Sequence, residues 1–157
     1  MRRSVLLVAG SMLVAGGMLA AGASAADEAG LERLAAARER WQAARPRDYL
    51  YAYRKYCECS RVLPPETVIT VFDGYVEQVY HVYQDPEREV PAREGSLYSY
   101  WTIEDLFAKL ESALANDAIV RVEYDAALGY PTTLFIDYDP GFVGDEADLR
   151  LTRVEFL

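Results

Sequence analysis

Tyrosine occupies every second position from Tyr49 to Tyr53 in residues 49–59, which read Tyr-Leu-Tyr-Ala-Tyr-Arg-Lys-Tyr-Cys-Glu-Cys. Successive side chains of a β-strand point to opposite faces of the sheet, so Tyr49, Tyr51 and Tyr53 share one face. Tyrosine suits a half-buried surface, because its ring packs while its hydroxyl reaches toward water. The pattern predicts the first strand of a folded domain. Tyr49, Tyr51 and Tyr53 are also a candidate recognition surface, since aromatic residues are enriched at binding hot spots.

A β-hairpin is predicted next. Residues 67–72 and 75–83 are both strand-like, and Asp73-Gly74 separates them. An Asp-Gly pair in this position is typical of a two-residue turn, because both turn residues need positive φ. Regular pairing outward from the turn gives these partners: Phe72 with Tyr75, Thr70 with Glu77, and Val68 with Val79.

Two stretches carry apolar residues at helical spacing. In residues 28–44 the apolar stripe is thin, which predicts a surface helix anchored by Trp41 and ended by Pro46. The second helix begins after Thr102, because Thr102 and Asp105 match a capping box. Its apolar residues fall on one face: Ile103, Leu106, Phe107, Leu110 and Leu114.

Three further strands are predicted from alternating apolar residues, at residues 119–124, 132–138 and 149–156. In the last of them the apolar face shifts between Leu151 and Val154, which predicts a β-bulge near Thr152. Residues 84–95 are polar and contain two prolines, so we interpret them as a surface loop. The predicted fold class is α+β, with an antiparallel sheet of about six strands and two packing helices in the order α-β-β-β-α-β-β-β.

The first 25 residues differ in character from the rest. Arg2-Arg3 precedes an apolar run of small residues, and Ala23-Ser24-Ala25 matches an Ala-x-Ala cleavage site. These parts are typical of a secretory signal peptide. The predicted organisation is a signal peptide in residues 1–25, an N-terminal helix of the mature domain in residues 26–46 and an α+β domain in residues 47–157. We therefore expect an exported protein, periplasmic or secreted, with no membrane span after signal cleavage.

The chain is acidic, with a formal net charge of −9. Nucleic-acid phosphates and anionic lipid surfaces repel such a protein, and the sequence contains no basic cluster in the mature region. We therefore expect no nucleic-acid partner. The partner that we expect is another exported or envelope protein.

Cys57 and Cys59 are the only two cysteines. Export would place them in an oxidising compartment, where pairing is favoured over free thiols. Same-face neighbours in a strand lie about 6.5 to 7 Å apart, at the outer limit for a disulfide, so a bridge needs a local bend or bulge. We favour a structural disulfide. A redox pair and a metal site stay open, although His81 is the only histidine available as a further ligand.

No constellation of catalytic residues is evident. His81 lies in a predicted strand and no nucleophile motif flanks a serine, so we interpret it as a packed or solvent-facing residue. Carboxylates concentrate around Pro140-Gly141 without matching the calcium-loop pattern, which favours a solvated acidic loop. We expect no catalytic residues, no metal and no cofactor.

Several short motifs occur together: Asp48-Tyr49, Cys57-Glu58-Cys59, Asp73-Gly74, residues 102–107, residues 124–131, and Asp137 followed by Asp145-Glu146. On these motifs the chain resembles the exported bacterial family catalogued as domain of unknown function 6174, from about Trp41 to the C-terminus. The resemblance implies a secreted or lipid-anchored domain without an assigned activity, and it supplies no functional residues. Because the cleavage site lacks a cysteine, the chain departs from the anchored members.

These observations favour a non-enzymatic binding or envelope-associated domain that recognises another protein. The alternative is a small redox or metal-handling protein centred on Cys57 and Cys59. Exposure of the two cysteines discriminates between them, because a buried bridge supports the first hypothesis, whereas a solvent-accessible pair near His81 or acidic residues supports the second.

Overall fold

The computed structural model describes residues 25–44, 47–56, 64–84, 87–93, 95–142 and 146–157. In these residues seven antiparallel strands form one sheet, accompanied by two helices, which is an α+β architecture. The helices are α1 (Ala25–Ala44) and α2 (Ile103–Ala115), and the strands are β1 (Tyr49–Tyr56), β2 (Glu66–Phe72), β3 (Tyr75–Gln84), β4 (Glu87–Pro91), β5 (Ile119–Tyr124), β6 (Pro131–Asp137) and β7 (Ala147–Phe156). A 3₁₀ turn, Leu97–Ser99, lies between β4 and α2.

The strands lie side by side in the order β4-β3-β2-β1-β7-β6-β5. The first and last strands of the chain therefore pair at the centre of the sheet, with Tyr49 opposite Phe156 and Lys55 opposite Leu149. Strands β2 to β4 lie on the β1 side of this central pair, and β5 and β6 lie on the β7 side. Among the described strands, β4 and β5 form the two edges of the sheet.

The hydrophobic core lies between the helices and one face of the sheet, here called the covered face. Its buried sheet residues include Tyr49, Tyr51, Ile69, Val71, Val79, Leu134, Ile136 and Leu149, and the helices contribute Leu34, Trp41, Leu106, Phe107 and Leu110 among others. Each large apolar side chain buried in this way stabilises the fold by about 1.5–3 kcal/mol. Alternate residues point to the opposite face, here called the open face, on which no helix of the described part of the chain packs.

Helix α1 is anchored as predicted, since Trp41 is only 1% exposed. Its ring meets the ring of Tyr49 edge-on at 5.2 Å between centroids and the ring of Phe156 at 5.9 Å. The described helix begins at Ala25, three residues before the predicted start. Neither helix in the described ranges is long and apolar enough to cross a membrane.

Helix α2 begins with the predicted capping box. The Thr102 hydroxyl oxygen accepts a hydrogen bond from the Asp105 backbone N–H at 3.1 Å, and the Asp105 carboxylate accepts one from the Thr102 backbone N–H at 2.9 Å. Both donors would otherwise be unsatisfied at the helix start. The predicted apolar face is also confirmed, because its residues are buried against the sheet: Ile103, Leu106, Phe107, Leu110 and Leu114.

The turn between β5 and β6 packs against α1. Asp125 organises it, since its Oδ1 atom accepts hydrogen bonds from the backbone N–H groups of Ala127 at 2.9 Å and Leu128 at 2.7 Å. Gly129 follows with φ of +83°, and a Cβ atom added there would lie 2.1 Å from the carbonyl oxygen of Ala37. Two features therefore require glycine at position 129: the positive φ and the close approach of α1.

The predicted hairpin forms, but its register is corrected by a bulge. Asp73 and Gly74 have φ of 48° and 82°, as a two-residue turn requires, and Phe72 pairs with Tyr75. The register then shifts by one residue at Glu77, because a bulge lets both Val76 and Val79 face the core. Beyond the bulge the observed pairs are Thr70 with Gln78 and Val68 with Tyr80.

The prediction of a surface loop at residues 84–95 is partly wrong, because this segment contains β4, a strand that the sequence analysis did not predict. This strand pairs with β3, with Val90 opposite His81, and all five of its residues are exposed. The element order is therefore α-β-β-β-β-α-β-β-β rather than the predicted one. The bulge predicted in β7 is confirmed: Thr152 is the extra residue, between Leu151 opposite Tyr53 and Arg153 opposite Ala52.

Candidate binding face

Tyr49, Tyr51 and Tyr53 of β1 lie in the core or pack against it, whereas Tyr56, the fourth tyrosine of the strand, points to the open face. Tyr49 and Tyr51 are 0% and 1% exposed, and Tyr53 is half-buried. The three rings follow one another along the covered face, with 6.0 Å between the stacked rings of Tyr51 and Tyr53. The prediction that they share one face is correct, but α1 and α2 pack over that face and exclude a partner from it.

Their hydroxyl groups connect the sheet to α2. The Tyr49 hydroxyl donates to one Glu104 carboxylate oxygen at 2.6 Å, and Trp41 Nε1 donates to the other at 2.7 Å. The Tyr51 hydroxyl donates to the carbonyl oxygen of Trp101. Burial, followed by the negative charge of Glu104, raises the pKa of Tyr49 far above its ordinary value. These contacts hold neutral tyrosines in place and serve the fold.

A groove of about 300 Å³ lies between the two helices next to Glu104. Its charged groups are already paired within the protein, because Arg38 donates to Glu111 at 2.9 Å while Glu104 holds Trp41 and Tyr49. The groove therefore offers a ligand few unengaged polar groups, and we assign its side chains a role in joining the helices.

His81 lies in a chain of hydroxyl groups on the covered face. Its Nδ1 atom is 3.2 Å from the Thr67 hydroxyl and its Nε2 atom is 3.0 Å from the Tyr100 hydroxyl. Thr67 also hydrogen-bonds to Tyr53. Burial lowers the pKa of His81, which favours the neutral ring with one donor and one acceptor nitrogen. No carboxylate of the described residues orients the ring, so the arrangement differs from a catalytic triad and fits the predicted packed histidine.

The cysteine pair lies outside the described residues. Cys57 and Cys59 follow β1 directly in sequence, so their pairing, exposure and metal binding stay predictions. Within the described ranges, no group of three or more histidine, cysteine, aspartate or glutamate residues is placed to hold a metal ion.

Two arginines of the open face stack on aromatic rings from neighbouring strands. The Arg150 guanidinium carbon lies 4.3 Å from the Tyr56 ring centroid, and that of Arg121 lies 3.9 Å from the Phe135 ring centroid. Such contacts hold the planar guanidinium flat on the ring and leave its N–H edges directed outward. Arg150 is 57% exposed in its side chain, so these edges are accessible to a partner.

Arg54 lies directly opposite Arg150 in the β1–β7 register, and its side chain is 12% exposed. Like charges in directly opposite positions destabilise a sheet, so the pair is held by other contacts. Arg54 donates to the Pro64 carbonyl oxygen at 2.7 Å and lies 3.9 Å from Glu66. Arg150 has only Asp148 at 4.0 Å among the described residues. The two arginines and Tyr56 at the centre of the open face are here called the arginine patch.

Sequence reasoning did not find the arginine patch. The alternation that assigned Tyr53 to one face also assigns Arg54 and Tyr56 to the other, and Arg150 alternates in the same way with Leu149. The pairing of β1 with β7 brings these residues together, and it cannot be inferred from the alternation within either strand. Thr67 and Tyr100 were missed as partners of His81 for the same reason, since they lie on different elements.

The comparisons with known proteins bear on the whole domain rather than on this face. Among curated proteins and among solved structures, nothing matches the chain at a significant level. One family model, described as a family of unknown function (DUF6174), matches residues 33–156. This span contains all seven strands, α2 and most of α1. The chain therefore belongs to the DUF6174 family.

Proposed function

We propose that this chain is an exported, non-enzymatic binding domain that engages a carboxylate-bearing exported or envelope protein through its open face. The observation that carries the proposal is the arginine patch. There the exposed Arg150 guanidinium rests on the Tyr56 ring, and Arg54 lies directly beside it in register.

The chemistry of the patch favours a carboxylate partner. A guanidinium presents parallel N–H donors that match the two oxygens of a carboxylate, and this bidentate pair is stronger than a neutral hydrogen bond. Stacking on Tyr56 fixes the orientation of Arg150 before binding, which lowers the entropy lost on association. Arginine and tyrosine are also the residue types most enriched at binding hot spots. The patch thus combines the right donors with a rigid aromatic support.

The distribution of charge favours binding of an acidic partner at the arginine patch rather than non-specific attraction to the whole protein. The chain as a whole is acidic, at −9, so it repels acidic partners at long range. Within that background, Arg54 and Arg150 lie in direct register, and the more exposed of them, Arg150, has its nearest carboxylate, Asp148, at 4.0 Å. An acidic partner would therefore gain from docking here and would lose from docking on α2, whose first turn carries Glu104 and Asp105.

The polar groups of the covered face support a non-enzymatic role. The two nitrogens of His81 are engaged by hydroxyl groups, and Thr67 is only 6% exposed. A catalytic base must be able to take a proton from a substrate, and both ring nitrogens of His81 are already engaged by hydroxyl groups of the protein. The same contacts are well suited to holding the 3₁₀ turn region, which carries Tyr100, against β3.

The basis for export is the N-terminal pattern of residues 1–25. The alternative function, redox or metal handling at Cys57 and Cys59, rests on the sequence pattern alone and is tested below by counting thiols.

The proposal is tested with immobilised protein recovered from the exporting host, in wild-type, Arg150→Glu and Arg40→Glu forms. Arg40 is an exposed residue of α1, so the two variants change the net charge equally at different faces. We expect at least one protein from a solubilised envelope extract to be retained by wild type and Arg40→Glu, released by salt, and lost with Arg150→Glu. Identical retention by all three forms, or none by any, contradicts the proposal.

A second measurement locates the contact directly. The probe is an acidic peptide, acetyl-Glu-Glu-Tyr-Glu-Glu-amide, titrated into isotopically labelled protein while backbone and arginine side-chain resonances are followed. Shifts concentrated at Tyr56, Arg54 and Arg150 support the patch. Shifts concentrated on α1 or α2 overturn it.

A further inference from the structure

The two edge strands of the sheet, β4 and β5, differ in how well they are protected against pairing with a strand of another molecule. β4 has five residues, three of them charged, and ends in Pro91, which cannot donate a ladder hydrogen bond. Short, charged, proline-bearing strands are the usual protection of a sheet edge. β5 has six residues, Ile-Val-Arg-Val-Glu-Tyr, with neither proline nor glycine, and among the described strands it pairs only with β6. Its outer row of backbone N–H and C=O groups is therefore open to another strand.

The side chains of β5 alternate in a way that suits a second copy of the same strand. Arg121 and Glu123 point to the open face, whereas Val120, Val122 and Tyr124 are half-buried on the covered face. A two-fold axis perpendicular to the sheet keeps each face continuous across the junction, so open-face residues meet open-face residues. Two copies of β5 can thus extend one sheet through both molecules.

We propose that the chain forms a two-fold symmetric dimer by antiparallel pairing of β5 with the partner's β5, with Val122 opposite the partner's Val122. In this register Arg121 lies opposite the partner's Glu123, and Glu123 lies opposite the partner's Arg121. Val120 lies opposite the partner's Tyr124 on the covered face. Opposite charges in directly paired positions stabilise antiparallel strands, and the symmetry provides this contact twice.

Neighbouring registers are excluded by the same residues. An axis one residue earlier puts Arg121 opposite the partner's Arg121, and an axis one residue later puts Glu123 opposite the partner's Glu123. An axis midway between two residues places backbone groups that point outward opposite groups that point inward, so no ladder forms. Larger shifts pair at most half of the strand. The proposed register is the one that pairs most of β5 without opposing like charges.

The test uses charge reversal within β5, on protein recovered from the exporting host and measured by sedimentation equilibrium from about 1 µM to 1 mM. We expect Arg121→Glu and Glu123→Arg each to raise the dimer dissociation constant at least about tenfold, because each opposes like charges at two positions. The double variant Arg121→Glu with Glu123→Arg restores opposite charges at both positions, so we expect it to dimerise like wild type. An equimolar mixture of the two single variants is expected to form a heterodimer.

Matched controls lie on the other edge. Arg88→Glu in β4 removes a guanidinium stacked on Tyr83 at 4.5 Å, just as Arg121→Glu removes one stacked on Phe135 at 3.9 Å. We expect Arg88→Glu and Glu89→Arg to leave the dimer unchanged, and circular dichroism verifies the fold of every variant. A monomer throughout the concentration range overturns the proposal. So does a dimer that the β5 single variants do not weaken, or that the double variant fails to restore.

Discussion

The hydroxyl oxygen of Tyr49 lies 2.9 Å from the backbone nitrogen of Ile103 and accepts its hydrogen bond. A strand side chain thereby satisfies one of the free N–H groups in the first turn of α2, beyond those that the capping box satisfies. The same hydroxyl donates to Glu104, so donor and acceptor capacity are both used. Helix α2 is thus fixed to the centre of the sheet by a polar contact within an apolar core.

Replacing Tyr49 with phenylalanine keeps the ring and removes this contact. The Ile103 N–H is then left buried without its acceptor, so the free energy of unfolding is expected to fall by about 1–3 kcal/mol. Urea unfolding followed by circular dichroism measures the change. Tyr124→Phe is the matched control, because the Tyr124 hydroxyl is buried with no hydrogen-bond partner among the described residues, and its removal is expected to be neutral or stabilising. Equal losses in the two variants would falsify the assigned role of Tyr49.

Gly129→Ala is expected to destabilise the protein strongly. The added Cβ would lie 2.1 Å from the Ala37 carbonyl oxygen, so α1 must move away from the turn. Gly74→Ala is the control, since Gly74 has nearly the same φ, +82°, with nothing within 4 Å of the added atom. The control isolates the backbone cost of about 1–2 kcal/mol, and Gly129→Ala is expected to exceed it by at least about 2 kcal/mol. Thermal unfolding of both variants measures the difference, and similar midpoints would contradict the close packing.

Stability is expected to fall at alkaline pH. Burial raises the pKa of Tyr53 and of Tyr124 to about 12, and it also raises the pKa of Tyr51 well above its ordinary value. The unfolded chain releases these protons near pH 10 while the folded protein retains them, so their contribution is complete below about pH 10. The part due to Tyr53 and Tyr124 is lost as the pH rises through about 12. Unfolding midpoints in urea across this range measure the slope.

Tyr53→Phe should make that alkaline decline less steep, because one late-titrating group is removed. Tyr98→Phe is the control, since Tyr98 is 87% exposed, and it should leave the slope as in wild type. The slope is the readout, because Tyr53→Phe also removes the hydrogen bond to Thr67 and so lowers stability at every pH. An unchanged slope in Tyr53→Phe would contradict the raised pKa.

We expect Cys57 and Cys59 to be paired, because the proposed export would place them in an oxidising compartment. Intact mass before and after alkylation, with and without reductant, counts their free thiols. Resistance to alkylation until reduction indicates a bridge, and its reduction potential then separates a structural disulfide from a labile redox site. Free reaction of both thiols without reductant would contradict the disulfide, and metal titration would follow.

Local signals predicted the local structure. The alternation around Tyr51, the capping box at Thr102 and the shifted apolar face before Val154 each depend on neighbouring residues, and each is found. The bulge in β3 had the same signature, since Val76 and Val79 are three apart as Leu151 and Val154 are, and it was overlooked. β4 had no such signature, because its exposed residues are held in place by pairing with β3.

Features that depend on distant contacts could not be predicted in this way. Alternation places Tyr49 and Tyr51 on one face but does not say which face the helices cover, so their burial became evident only from the packing. The arginine patch likewise depends on the pairing of β1 with β7. No periodicity within either strand specifies that partner, because many strand orders satisfy the same pattern.

The central pairing of β1 with β7 also determines when the fold can be completed. Ala52 and Thr152, which meet across this pair, are 100 residues apart in sequence. A growing or translocating chain can form the hairpins of β1 to β4 early, yet the second side of β1 stays open until the last residues arrive. Contacts so distant in sequence slow folding. If the protein is exported as we propose, this delay keeps the core incomplete, and the chain able to pass through a translocation pore, until β7 has emerged.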